Sequence, residues 1–394
     1  MTSDRTRELE RDWLVAPLSR HVQANASRYL GCDTEAPATV RVLATETRSY
    51  SRLYRLAVEA AGRSQQLFVK VSTDWSDTAL PGGSRVADRP RLAPLWASDV
   101  KFALEHRALL QIHRHFTSLG DRRFRAVRVF DAIPEHRALV METIDEPSLR
   151  SLSLQAGRSR SEEGAARLRE AFRNAGAWLR IYHTLPADGD LQSIDSGRDH
   201  FVAFIGRLCA YLARKVGQEP FFTWLASALS TRAKEWLPER APVGLAHGDF
   251  AMRNVLVGAE NRVVVLDTLA SHRACIYRDL AYFLSDLECS WPAALSRGAF
   301  SHSLHAAGYR EAILAGYFAE TAPDEMAIRV YEVQMLLERW ASAVWHASRP
   351  QSLLRRSLKR ARLPLLSAYY RRMIRDRLIT DAPPQRKAFA FGAR

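Results

Sequence analysis

Apolar and polar positions along the chain follow two periods, and the change from one to the other divides it. Residues 40–47, 52–60 and 66–72 are rich in β formers or alternate apolar with polar residues, and Gly62 stands where the second stretch must turn into the third. After a Pro/Gly/Asp-rich loop over 73–95, helical spacing predicts a helix at 101–116, with Phe102, Leu109, Ile112 and Phe116 on one side. Two further strands are predicted at 126–133 and 137–144, with Pro134 in the turn between them. The stretch Asp145-Glu146-Pro147-Ser148-Leu149 breaks the pattern and reads as a hinge. Beyond it, 163–184, 200–216, 221–236, 325–347 and 353–378 carry apolar residues at three- and four-residue steps. One β-like island interrupts them at 243–267. The expected fold is α+β in two lobes: a small antiparallel β-rich N-lobe and a large, mainly helical C-lobe. The expected divisions are a helical extension at 1–38, the N-lobe at 39–146, the C-lobe at 147–348 and a basic helical tail at 349–394.

Composition narrows the class. Apolar residues make up 47% of the chain and charged residues 25%, ordinary values for a globular protein with a large core. No stretch reads as a membrane-spanning helix, and residues 1–14 lack the apolar core of a secretory signal. The four cysteines, Cys32, Cys209, Cys275 and Cys289, are scattered, with no CxxC pair. A reducing cytoplasm therefore fits better than a disulfide framework or zinc site. The net charge of +14 is concentrated: residues 349–394 hold thirteen Lys/Arg and two Asp/Glu.

The β island carries the chemistry. It reads Leu245-Ala246-His247-Gly248-Asp249-Phe250-Ala251-Met252-Arg253-Asn254-Val255-Leu256-Val257, then Val263-Val264-Val265-Leu266-Asp267. A hairpin turning at Gly258-Ala259-Glu260-Asn261 would bring the loop before its first strand beside the residue ending its second, so that Asp249, Asn254 and Asp267 converge. Phosphoryl transfer needs such a set. One carboxylate receives the proton of the attacking hydroxyl, and oxygen ligands hold Mg²⁺ against the phosphates.

This island resembles the catalytic loop of the aminoglycoside phosphotransferase and choline kinase family, written HGDxxxxN with a metal-binding Asp after an apolar strand; that family has a protein-kinase-like fold. The resemblance covers roughly residues 40–290 and implies ATP and Mg²⁺ as cofactors. It makes Asp249 the base and Asn254 and Asp267 the metal ligands, with His247 in structural support. Lys70, between Val69 and Val71, would bind the nucleotide phosphates, held by Glu105 on the following helix; an exposed lysine on the face shared with Gln66 and Phe68 is the alternative. The 177–186 stretch resembles the family's helix ending before the catalytic loop, which makes His183 structural. Asp279, in Asp279-Leu280-Ala281, resembles an aspartate that braces that loop. The adenine is expected against hinge backbone from Glu142 to Ile144. Ser49 and Ser51, in a turn without glycine, are candidates for phosphate contact, with a solvated hairpin tip as the alternative. The missing GxGxxG argues against a protein kinase. Thr268-Leu269 after the metal Asp is neither the Phe-Gly of protein kinases nor the usual Trp of the antibiotic kinases.

The expected activity is transfer of the γ-phosphate of ATP to a small-molecule hydroxyl. Arg253, His272, Arg273 and Arg278 around the island favour a sugar, glycoconjugate or lipid-linked acceptor over a polycationic aminoglycoside. A catalytically silent binding module, held to a membrane or partner through the tail, is the competing expectation. The tail itself fits three roles: packing an apolar face on the large lobe, lying on an anionic membrane surface, or neutralising nucleic-acid phosphates, the last not favoured. A cytoplasmic protein, with peripheral membrane association through 349–394 left open, follows. Pro364 is expected to kink the tail helix.

Overall fold

The computed structural model describes residues 13–31, 37–48, 50–74, 90–92, 96–159, 162–186, 191–289, 306–348 and 353–379; the side chains of 157–159, 348 and 353–361 lie outside that description. The chain forms two compact units. The first comprises Met1–Ala79, Pro94–Leu149 and Arg253–Ser271, and the second Leu80–Ala93, Arg150–Met252 and His272–Arg394.

The first unit starts with helices α1 (Val15–Ala24) and α2 (Ala26–Leu30) and strands β1 (Thr39–Thr47), β2 (Ser51–Ala60) and β3 (Arg63–Ser72). Ala61 and Gly62 both take positive φ (49° and 74°), as a two-residue turn between twisted strands requires, so β2 pairs with β3 over the whole length of each. Helix α3 (Ser98–Leu119) follows, then β4 (Phe124–Arg125), β5 (Val129–Ile133) and β6 (Ala138–Glu142). The sheet order is β1-β2-β3-β6-β5, antiparallel throughout. Alternation along β3 sends Leu67, Val69 and Val71 into a core shared with Leu18, Val22 and Tyr29 of the N-terminal helices. Phe68 packs instead with Phe102 and Leu109 of α3, beneath Leu139 and Met141.

The second unit continues with α4 (Leu149–Ser159), α5 (Glu162–His183), α6 (Arg198–Val216), α7 (Glu219–Trp236) and strand β7 (Val243–Leu245). The chain then returns to the first unit for the hairpin β8 (Val255–Val257) and β9 (Val263–Val265), whose connection carries Glu260 and Asn261 at φ 55° and 57°. β9 also pairs in parallel with β4, through Phe124 and Val263. Strand β10 (Arg273–Cys275) pairs with β7, and helices α8 (Tyr277–Glu288), α9 (Ala306–Phe318), α10 (Glu325–Ser348) and α11 (Leu353–Ile379) complete the second unit.

Two glycines set the helix packing of this unit. A Cβ on Gly176 of α5 would stand 2.1 Å from the Ile313 carbonyl oxygen, and one on Gly316 of α9 would stand 1.9 Å from that of Arg173. The two helices therefore approach backbone to backbone. The tail helix packs on the same unit: Leu366, Tyr370, Met373, Ile374 and Leu378 are buried. Trp340 Nε1 donates to Ser367 Oγ at 3.2 Å, and Arg377 pairs with Glu288 and Glu332. Helix α11 runs on through Pro364. Pro364 lies on the exposed side, where the carbonyl it leaves without an N–H can be hydrated.

Candidate active site

In the first unit the hairpin gathers one group of candidates. Val255 lies opposite Val265, and Leu266 N–H donates to the Asn254 carbonyl at 2.8 Å, so Asn254 and Asp267 flank the same end of the ladder. Asp267 has a φ of 58°, a left-handed conformation that aspartate tolerates better than most residues. Ala270 follows at 44°, so the strand ends in a sharply bent loop. Lys70 is buried, which settles the alternative of an exposed lysine. Its Nζ donates to Glu105 Oε1 at 2.5 Å and to Asp267 Oδ1 at 2.7 Å. Burial by itself would pull this ammonium down; Glu105 and Asp267 outweigh it and hold Lys70 above the ordinary lysine range. The Glu105 side chain is 4% exposed, whereas that of Asp267 is 35% exposed. The carboxylate on the loop thus keeps one face open to solvent while the helix carboxylate is sealed.

Two cations beside this pair escaped the sequence reading. Lys101 is one helical turn before Glu105; its Nζ donates to the Tyr50 carbonyl at 3.1 Å, and burial together with the charge of Lys70 lowers its pKa. The i, i+4 spacing of Lys101 and Glu105 was the available signal. Arg48 Nη1 lies 4.0 Å from Asp267 Oδ2.

Of the remaining first-unit candidates, Ser51 is buried at the start of β2, where its carbonyl accepts from Arg48 N–H at 2.8 Å. Ser49 lies outside the described residues. The Glu142 carboxylate is taken by Arg125 and by the N–H of Arg128, and its own N–H donates to the Arg128 carbonyl at 3.0 Å. Ile144, half-buried, packs against the apolar cluster that includes Phe102, Leu109, Leu256 and Val264.

The second unit holds the other group. Asp279, at the start of α8, is buried and takes three donors. His247 N–H reaches Oδ2 at 2.7 Å, Gly248 N–H reaches Oδ1 at 2.9 Å, and His183 Nε2 lies 3.2 Å from Oδ2. Desolvation would raise this carboxyl; the bond and charge of His183 and the proximity of His247 more than reverse that, holding it far below the usual carboxylate range. His183 Nδ1 is 2.7 Å from the Tyr317 hydroxyl, so a chain of contacts runs from α9 through α5 to the loop. Gly244 makes this possible: a Cβ there would sit 2.8 Å from His183 Cβ and from its carbonyl oxygen. Under the loop, Phe250 stacks on Trp178 at 6.1 Å and meets Phe283 at 5.1 Å, and Met252 N–H donates to Asp286 at 3.2 Å. Gly248, with φ 79°, supplies the left-handed turn directly before Asp249. Asp249 is half-buried, and its N–H bonds to His247 Nδ1 at 3.3 Å. Tyr317 and Asp286 were not foreseen; neither belongs to a local motif.

The family model of the phosphotransferase enzyme family matches residues 73–327. The chain belongs to that family. As a phosphotransferase it has the α+β, two-unit architecture expected of a protein-kinase-like fold. Similar solved structures include a spectinomycin phosphotransferase with ADP and spectinomycin (13% identity, TM-score 0.49, 93% of this chain and 97% of the other covered). A choline kinase from Streptococcus pneumoniae is similar at 13% identity and TM-score 0.46, over 90% and 100% of the two chains. A glucosamine kinase with glucosamine, ADP and inorganic phosphate is similar at 12% identity and TM-score 0.44, over 91% and 98%. No curated protein matches the sequence. Among the described residues, no helix of this phosphotransferase is long and apolar enough to cross a membrane.

Proposed function

We propose that this phosphotransferase moves the γ-phosphate of ATP to a hydroxyl of a small molecule. The observation that carries the reading is Lys70, whose buried ammonium bonds at once to Glu105 and to Asp267, 197 positions further along the chain. A sealed cation beside a part-exposed carboxylate is what a polyphosphate and its counter-ion require. In this reading Lys70 binds phosphate oxygens and Glu105 fixes its position. Asn254 and Asp267 hold Mg²⁺, whose role is to neutralise charge on the phosphates. The donor set fits that ion: one carboxylate and one amide oxygen, both hard ligands. Among the described residues no three His, Cys, Asp or Glu are gathered for a metal, so the remaining ligands would be phosphate oxygens and water, as Mg²⁺ prefers. Asp249 receives the proton of the acceptor hydroxyl, on a loop fixed by Asp279 through two backbone N–H groups. The adenine lies along the backbone at Glu142 to Ile144, with Ile144 and Phe68 supplying apolar contact.

The acceptor in this reading is neutral or anionic: a sugar, a glycoconjugate or a lipid-linked alcohol. Residues 197–240 and 300–345, proposed as walls of the acceptor site, together hold ten Lys/Arg and ten Asp/Glu, without the acidic excess that a polycationic antibiotic calls for. Arg278 contributes less than its sequence position suggests, since it pairs with Glu338 at 3.3 Å; Arg273 is bonded to the Val243 carbonyl. Burial and the charge of Arg278 lower the pKa of His272, so it adds no cation at neutral pH. The need for ATP places the reaction in the cytoplasm. The test is ATP turnover by the full chain over a panel of sugars, amino sugars and lipid alcohols, with Asp249→Asn beside wild type. The variant is expected to lose about 10²- to 10⁴-fold in kcat, the range for a positioned base. Equal turnover by the two proteins removes Asp249 from the mechanism, and a strong preference for aminoglycosides overturns the acceptor class.

A further inference from the structure

The connection between β1 and β2 reads Arg48-Ser49-Tyr50-Ser51-Arg52, without a glycine. Arg48 N–H donates to the Ser51 carbonyl at 2.8 Å, and the Tyr50 carbonyl accepts from Thr73 N–H at 3.0 Å and from Lys101 Nζ at 3.1 Å. The turn lacks the glycines that let backbone approach phosphate closely in a glycine-rich loop. A side chain brings positive charge there instead. The Arg48 guanidinium is gripped by Glu46 through Nε at 2.9 Å and Nη2 at 3.3 Å, which fixes the plane of its fork. Nη1 lies 4.0 Å from Asp267 Oδ2, while Lys70 takes Oδ1 of the same carboxylate. Arg48 is half exposed and Lys70 is buried, so the two cations approach Asp267 from the solvent side and the core side. Arg253, on the hairpin, lies within electrostatic reach of Arg48 and raises the positive potential there.

We propose that Arg48 is a nucleotide-binding residue that takes the terminal phosphate of the triphosphate bidentately, with Glu46 orienting it. A planar fork held by a carboxylate suits two phosphate oxygens better than a point charge does. The inference rests on the reading of Lys70 and Asp267 as a nucleotide site, and it adds discrimination by phosphate number. ATP reaches both Lys70 and Arg48, ADP makes a weakened contact with Arg48, and AMP makes none.

The test measures equilibrium dissociation constants of ATP, ADP and AMP, with Mg²⁺, for the full chain and for Arg48→Ala, Arg48→Lys and Glu46→Gln. Arg48→Ala is expected to weaken ATP about 10- to 100-fold, the range for one charge-assisted contact, to weaken ADP less, and to leave AMP within about twofold. Arg48→Lys should restore only part of the loss, and Glu46→Gln should show a smaller loss of the same order ATP > ADP > AMP. Unchanged ATP affinity in Arg48→Ala overturns the proposal, as does equal weakening of all three nucleotides, which would mark Arg48 as a strut of the turn. Failure of the wild-type chain to bind any nucleotide removes the underlying reading as well, so the two failures are told apart by the wild-type measurement alone.

Discussion

Replacing Lys70 by Met removes a buried ammonium and strands a buried carboxylate. Glu105 Oε1 loses its 2.5 Å donor, and Oε2 is already buried with no hydrogen-bond partner among the described residues. Breaking a buried ion pair from one side costs about 3–5 kcal/mol. The Asp267 side chain, 35% exposed, is solvated enough that its share falls in the range of about 0.2–1 kcal/mol for surface pairs. Lys70→Met should therefore lower stability by about 3–5 kcal/mol and the melting temperature of a chain of this length by on the order of 4–6 °C. A second variant isolates the cause. Lys70→Met with Glu105→Met removes both charges and should regain most of the stability without regaining nucleotide affinity. The raised pKa of Lys70 gives stability that is fully present below the ordinary lysine range and lost only as pH climbs above it. Thermal melts of the three proteins at several pH values provide the assay. A single variant as stable as wild type, or a double variant no better than the single one, would refute the claim that the pair is sealed.

Other consequences can be checked on the same footing. Asp279→Asn keeps the shape but gives up one acceptor among the His247, Gly248 and His183 contacts; about 1–3 kcal/mol should be lost, with kcat falling while nucleotide affinity holds in titrations. Because the carboxyl of Asp279 is held low, its contribution is present above about pH 4 and lost as pH falls further, so acid melts of the variant should be flatter than those of wild type. Gly316→Ala should destabilise by about 1–3 kcal/mol or more, since the new Cβ meets the Arg173 carbonyl at 1.9 Å. Gly206→Ala, on α6 with nothing within 4 Å, should stabilise by about 0.5–1 kcal/mol in the same denaturation series. Arg377→Met leaves buried Glu332 with Arg310 and removes the Arg377 contacts to Glu332 and Glu288, and should cost about 1.5–3 kcal/mol by chemical denaturation.

What could be read in the sequence follows from the range of each signal. The pairing of β2 with β3 was legible because Gly62 marks a local turn between strands of matching pattern, and the hairpin at 255–265 because two apolar triplets flank a short polar connection. The island motif named Asp249, Asn254 and Asp267 from spacing within twenty residues. Lys70 stayed ambiguous, since alternation assigns it a face but does not say that α3 and the hairpin cover that face. Arg48 and Tyr317 act across long separations, and no local pattern betrays such contacts.

The hairpin at Arg253–Ser271 belongs to the first unit although 103 residues of the second, Arg150–Met252, come between it and Leu149. No single cut can therefore divide the chain into two self-sufficient halves. A fragment ending at Leu149 would hold Lys70 and Glu105 but leave that ammonium without Asp267, and would leave β4 without its neighbour β9. During synthesis the sheet-rich unit must wait, incomplete, while four helices of the other emerge, and the closure that finally joins Lys70 to Asp267 spans 197 residues. The meeting of Lys70 with Asp267 is thus a late event in the assembly of the first unit.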